Sequence, residues 1–127
     1  MDISSLKSAL NGQQAVISAF GTKLIRKPTT LLSDATRNLV EAMNDGGVKR
    51  LICVTGIGAG DSKGHGGFLY DNILEPFLLH EIYEDKTRQE EVIRKSSLDW
   101  VIARPAILTN GPATGNYRTV HGTGLSF

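Results

Sequence analysis

The stretch "VTGIGAGDSKGHGG", from Val54 to Gly67, is the densest in glycine in this chain. Glycine loops are one way a backbone comes close to a phosphate. A dinucleotide-binding turn needs the order G-x-G-x-x-G and must open directly into a helix. Counted from Gly56, the third glycine falls on Asp61; from Gly58 it falls on Lys63, and from Gly64 on Leu69. All three registers fail, and Asp61 would repel a pyrophosphate. A P-loop fails as well, because "DSKGHGG" lacks the Gly-Lys-Ser/Thr ending. The preferred reading is a loop on the substrate side of a site whose phosphate loop lies elsewhere. The alternative is a flexible loop after a central strand. Cys53 is the single cysteine, so no intrachain disulfide forms, and its apolar setting "RLICVT" marks a buried small hydrophobe rather than a nucleophile. His65, His80 and His121 share no ligand spacing, so no metal site is expected.

The elements that must position these residues alternate. Asp2 can cap a short helix in which Ile3, Leu6 and Leu10 share a face and which Gly12 ends. "QAVISAF" predicts a buried strand. Thr29 or Thr30 caps the next helix, with Leu31, Ala35, Leu39 and Met43 as one apolar stripe and Gly46 and Gly47 as its stop. "VKRLICVT" is the second strand. The run from Phe68 to Ser97 is helical in two pieces, broken at Pro76. Its second piece carries acids early (Glu81, Glu84, Asp85) and bases late (Arg94, Lys95), which suits the helix dipole. Glu90 with Arg94 and Glu91 with Lys95 are supportive pairs four apart. "LDWVIARP" is the third strand, with Trp100 in the core and Pro105 as its stop. The remainder is mostly loop, with a short strand around Tyr117 to Val120. Apolar strands alternating with amphipathic helices predict an α/β fold with a parallel sheet. Ligands then sit at the carboxyl ends of the strands, "AFGT", "VTGIGAG" and "ARPAIL".

The 127 residues suit a single domain, 1–127, with 14 Lys+Arg against 13 Asp+Glu. No basic surplus remains to grip nucleic acid or an anionic membrane. No apolar run approaches transmembrane length, and the expected compartment is the cytoplasm.

Taken together, "AVISAFGT", "TTLLSDATRNLVEAMNDGGVKRLICVTGIGAG" and "YEDKTRQEEVIRKSSLDWVIARPAILTNGPATGNYR" resemble the atypical branch of the short-chain dehydrogenase/reductases. Those are the NAD(P)H-binding, NmrA-like proteins, here nearest the flavin reductase/biliverdin reductase B group. The resemblance covers nearly the whole chain and implies a partial Rossmann-like fold. Family members begin with a strand and a G-x-x-G-x-x-G turn that binds the pyrophosphate; relative to them about two βα units of roughly thirty residues each are missing. The expectation is a truncated relative whose strand "QAVISAF" keeps a bare edge, which a homodimer or a swapped assembly would cover.

The resemblance implies NADP or NAD as cofactor and a small-molecule substrate, a flavin, quinone-like compound or carbonyl. The binding of the cofactor depends on the absent glycine turn. Ala19, Phe20, Gly21 and Thr22 would run along the ribose and phosphates; the alternative for Gly21 and Thr22 is an ordinary turn and cap. Thr55, before Gly56, stands near the family serine that polarises the substrate carbonyl, though threonine is also simply common at strand ends. Tyr83 and Lys86 suggest the family's Tyr-x-x-x-Lys pair, one residue short but still on one helix face. Lys86 would contact the ribose and donate a proton, with Tyr83 second; alternatively Lys86 is a solvated helix charge. The backbone of Arg104, Pro105, Ala106 and Ile107 would border the nicotinamide. Two other readings stay open: a non-catalytic nucleotide-sensing or interaction module, and an inactive family fragment.

Overall fold

The computed structural model of the protein describes residues 2–22, 27–62, 79–106, 108 and 110–119. Helix α1 spans Ile3–Leu10. It starts where predicted, because the Asp2 carboxylate accepts hydrogen bonds from the Ser5 backbone N–H at 3.0 Å and from the Ser4 and Ser5 hydroxyls. Those donors, the Ser4 hydroxyl first, hold the Asp2 carboxyl at about 2. Gly12, at φ 75°, turns the chain into β1, Ala15–Ser18. Helix α2 spans Leu31–Gly46 and ends on Gly47 in the left-handed conformation that glycine adopts without strain. Strand β2 is Arg50–Val54, a short 3-10 turn occupies Gly60–Ser62, α3 is His80–Lys95 and β3 is Asp99–Ala103.

The strands form one parallel sheet in the order β1-β2-β3. Its register sets Val16 beside Leu51 and Trp100, then Ser18 beside Cys53 and Ile102. These rows face the helices. Leu51 and Cys53 join Leu10, Leu39, Ala42, Met43, Val48, Ile93 and Leu98 in the core, with Trp100 packed against it. Helix α2 packs on α1 and on α3, so the helices form one layer. The alternate row, Ile17, Ile52 and Val101, lies on the other face of the sheet. There Ile17 is 72% and Val101 41% exposed.

Several expectations need correcting. Strand β1 is an edge strand with an exposed face, not a buried strand, because among the described residues the helices cover only one side of the sheet. The buried stripe of α2 runs through Leu32, Ser33, Thr36, Leu39 and Met43, while Leu31 is 53% exposed. The helix is turned by its polar contacts with α3, which an apolar-stripe reading passes over. Residues 117–119 form no strand, and Tyr117 is 87% exposed. The first helical piece, Pro76, His65, His121 and Ile107 lie outside the described residues. Among the described residues no helix is long and apolar enough to cross a membrane.

Candidate functional site

The carboxyl end of β2 is built first by backbone. Thr55 N–H donates to the Ala103 carbonyl at 2.9 Å, and Ile57 N–H donates to the Pro105 carbonyl at 3.2 Å. The loop after β2 is thereby laid along the exit of β3. It turns through Gly58 and Gly60, at φ 100° and 56°. Gly60 N–H then donates to the Thr87 hydroxyl of α3 at 3.1 Å.

One face of α3 closes over this loop. Tyr83, Lys86, Thr87, Glu90 and Arg94 recur at spacings of three and four, so they stack on one side of the helix. Lys86 Nζ donates to the Thr55 carbonyl at 2.8 Å and lies 5.1 Å from the centre of the Tyr83 ring. That distance is within reach of a cation–π attraction. Burial pushes the Lys86 ammonium below the ordinary lysine range, and the Cys53 thiol and the Glu90 carboxylate pull it partly back. A Cβ placed on Gly56 would stand 3.2 Å from both Lys86 Nζ and the Tyr83 hydroxyl. Both polar tips therefore converge on the glycine that follows Thr55.

Thr55 itself is buried. Its hydroxyl donates to Glu90 Oε1 at 2.8 Å, so its proton points inward. The Glu90 carboxylate, 1% exposed, also accepts from Arg104 Nε at 2.9 Å, and Arg104 Nη2 reaches its second oxygen. Arg104 extends to Asp61, which Arg94 Nη2 meets at 2.9 Å. The Arg104 guanidinium holds the Asp61 carboxyl below the usual carboxylate range. In return Arg104 is held still more firmly in its charged form, chiefly by its bonds to Glu90. Gly60 allows this approach: an added Cβ would stand 2.5 Å from Glu90 Oε2.

The structure thus brings Thr55, Gly56, Tyr83 and Lys86 together and sets Arg104 and Pro105 beside them. Ala19, Phe20, Gly21 and Thr22 leave β1 at the same end of the sheet, since Ser18 is in register with Cys53. Phe20 packs against the core, whereas a Cβ on Gly21 would meet nothing within 4 Å. Ala106 is exposed. The sequence reading missed Glu90, Asp61 and Asp85. Glu90 was assigned to a helix-surface pair with Arg94; that pair exists at 3.6 Å, but its carboxylate is buried. Asp85 was assigned to the helix dipole, yet it is fully buried against the start of α2. The available signal was the shared face of Lys86 and Glu90, four apart and directed at a strand end.

A parallel α/β layer with polar side chains gathered where its strands end is the architecture of nucleotide-binding Rossmann-like proteins. The NAD(P)H-binding family pattern matches residues 1–126, and the chain belongs to that family. The resemblance to atypical, NmrA-like short-chain dehydrogenase/reductases is borne out. Among solved structures, chuY of E. coli strain CFT073 is 26% identical with a TM-score of 0.68, over 90% of this chain and 55% of that one. ChuY of E. coli O157:H7, described as an anaerobillin reductase, is 23% identical with a TM-score of 0.73, over 95% and 54%. The oxidoreductase ylbE of Lactococcus lactis is 24% identical with a TM-score of 0.71, over 91% and 50%. The chain spans about half the length of these relatives, in keeping with a partial Rossmann-like fold.

Proposed function

We propose that the chain forms the nicotinamide end of an NAD(P)H-dependent oxidoreductase-like protein that reduces a flavin, a quinone-like compound or a carbonyl. The observation that carries this reading is the convergence of the Tyr83 hydroxyl and Lys86 Nζ on Gly56 at the end of β2. A phenol and an ammonium side by side suit the two hydroxyls of a ribose diol. The residues present fit that end of the cofactor; the 127 residues contain no G-x-x-G-x-x-G turn for its pyrophosphate. When bound, the cofactor supplies the hydride. Lys86 would orient the ribose and hold a proton that its lowered pKa makes easier to release. Tyr83 would be the second donor. Thr55 would act through its backbone and through Glu90, since its hydroxyl is already engaged there. Ala19 to Thr22 would follow the ribose and phosphates, and Arg104 to Ala106 would border the ring.

A second reading has its own observation. The inward-turned Thr55 hydroxyl leaves the strand end without the donor expected to polarise a substrate carbonyl. This favours a nucleotide-sensing module that binds without turnover. Calorimetric titration of NADPH and of NADH into the chain and into Lys86→Gln tests the site. Binding that the substitution weakens supports it, and no binding of either cofactor sinks both readings. NADPH oxidation with a flavin or quinone acceptor then separates them.

A further inference from the structure

Thr55 is held through its N–H, its hydroxyl and its carbonyl. The N–H donates to the Ala103 carbonyl at 2.9 Å, the hydroxyl donates to Glu90 Oε1 at 2.8 Å, and the carbonyl accepts from Lys86 Nζ at 2.8 Å. Lys86 and Glu90 stand four apart on α3, so one residue at the strand end is tied to successive turns of one helix face. Glu90 is itself held, because Arg104 meets both of its oxygens. The peptide plane that carries the Thr55 carbonyl ends on Gly56, which has no Cβ to restrict how that plane turns. The restraint on the carbonyl must then come from Thr55. A β-branched side chain has few rotamers, and the bond to Glu90 selects one of them.

We propose that Thr55 is a positioning residue for Lys86: its hydroxyl, anchored on Glu90, holds the Thr55 carbonyl in the direction that seats the ammonium beside Gly56. The inference rests on Lys86 as the group that meets the ribose, which the catalytic and the sensing readings share. It gives the inward-turned hydroxyl a task. A hydroxyl turned outward would leave the carbonyl free to swing and the buried Glu90 with one donor fewer. A lysine stem is flexible, and an ammonium ordered before the ligand arrives spares that ordering on binding. Cofactor affinity then depends on a hydroxyl that never touches the cofactor.

The first test reads Lys86 with no cofactor present. Thr55→Val keeps the branched shape and the Glu90 charge and removes only the hydroxyl; Thr55→Ser keeps the hydroxyl. Competitive amine labelling followed by mass spectrometry gives the reactivity of Lys86 in each. Thiol labelling of the fully buried Cys53 reports any opening of the fold. Lys86 should react at least about tenfold faster in Thr55→Val than in the parent, the weight of one hydrogen bond to a charged group. Thr55→Ser should stay near the parent, and Cys53 should be unchanged throughout. Equal Lys86 reactivity in Thr55→Val and the parent overturns the proposal. So does a rise that Cys53 shares, because the substitution has then only loosened the fold, and so does a Thr55→Ser chain that behaves like Thr55→Val.

The second test is titration of NADPH and of NADH, and it lets the proposal and the cofactor reading fail apart. Thr55→Val should weaken binding about tenfold in the parent background. In a Lys86→Gln background it should have no further effect, since the seat then has no ammonium to hold. Equal weakening in both backgrounds overturns the proposal, because Thr55 would then act without Lys86. A parent that binds neither cofactor sinks the reading of Lys86 as the ribose group, and the labelling alone decides whether Thr55 seats it.

Discussion

At the scale of single residues, Glu90 ties the site together. Its carboxylate receives the Thr55 hydroxyl and the Arg104 guanidinium, and Arg104 passes the contact on to Asp61. Removing the Glu90 charge takes from Arg104 its buried partner and leaves it the more exposed Asp61. Glu90→Gln is therefore expected to lower stability by about 3 kcal/mol, read from urea midpoints; an unchanged midpoint would show that Arg104 finds equal company elsewhere. Asp61 predicts a pH effect. Its folded-state pKa lies below 3.8, chiefly because Arg104 donates to the carboxylate. Where the unfolded chain binds more protons than the folded one, stability rises with pH. The stabilisation is thus present above pH 3.8 and is lost as pH falls through the lower, folded value. Urea midpoints of the parent and Asp61→Asn should differ at neutral pH and converge in acid. The Lys86 and Tyr83 positions were legible in the sequence as one helix face. The burial of Glu90 was not, because a glutamate four residues before an arginine looks the same on a solvated helix.

At the scale of elements, the start of α2 is held by α3. Thr30 stands at the cap position without a side-chain bond there, and the Thr29 hydroxyl accepts from the Leu31 N–H at a long 3.3 Å. The stronger cap comes from Asp85, whose carboxylate accepts from Leu32 N–H at 2.7 Å, from Ser33 N–H at 3.3 Å and from the Ser33 hydroxyl. A carboxylate there satisfies orphan donors and meets the positive end of the helix. One α3 turn further on, Gln89 donates to the Thr36 hydroxyl at 2.9 Å. The α2–α3 seam is therefore partly polar, which explains why the apolar stripe predicted for α2 was turned away from the one observed. Local cap signals such as Thr29 and Thr30 are legible in a sequence; a cap delivered from 53 residues away is not. Asp85→Ala should cost about 2–3 kcal/mol, the loss of a cap plus buried donors left unpaired. Hydrogen exchange should place the loss in the first turn of α2. Protection there that stays as in the parent would mean that Thr29 suffices.

At the scale of the whole molecule, the described helices and the core they form lie on one side of the sheet. Strand order, parallel direction and element sequence were legible because alternating apolar strands and amphipathic helices leave few topologies. Which strand face is covered was not, because "AVIS", "LICV" and "WVIA" are apolar at nearly every position and do not alternate. Such strands suit a sheet covered on both faces. Here Leu51 is buried under the helices, whereas Val101, on a neighbouring strand, is 41% exposed on the other face. The energetic consequence is an asymmetry between the two faces. Leu51→Ala opens a cavity in packed surroundings and should cost about 3 kcal/mol. Val101→Thr keeps a β-branched shape on an open surface and should change stability by less than about 0.5 kcal/mol. Urea midpoints of both variants check the pair. If Val101→Thr costs as much as a core substitution, something covers the second face in solution and the one-sided sheet is not the state the chain occupies there. A small cost for Val101→Thr beside a large one for Leu51→Ala places the folding energy on the helix side and leaves the other face as surface.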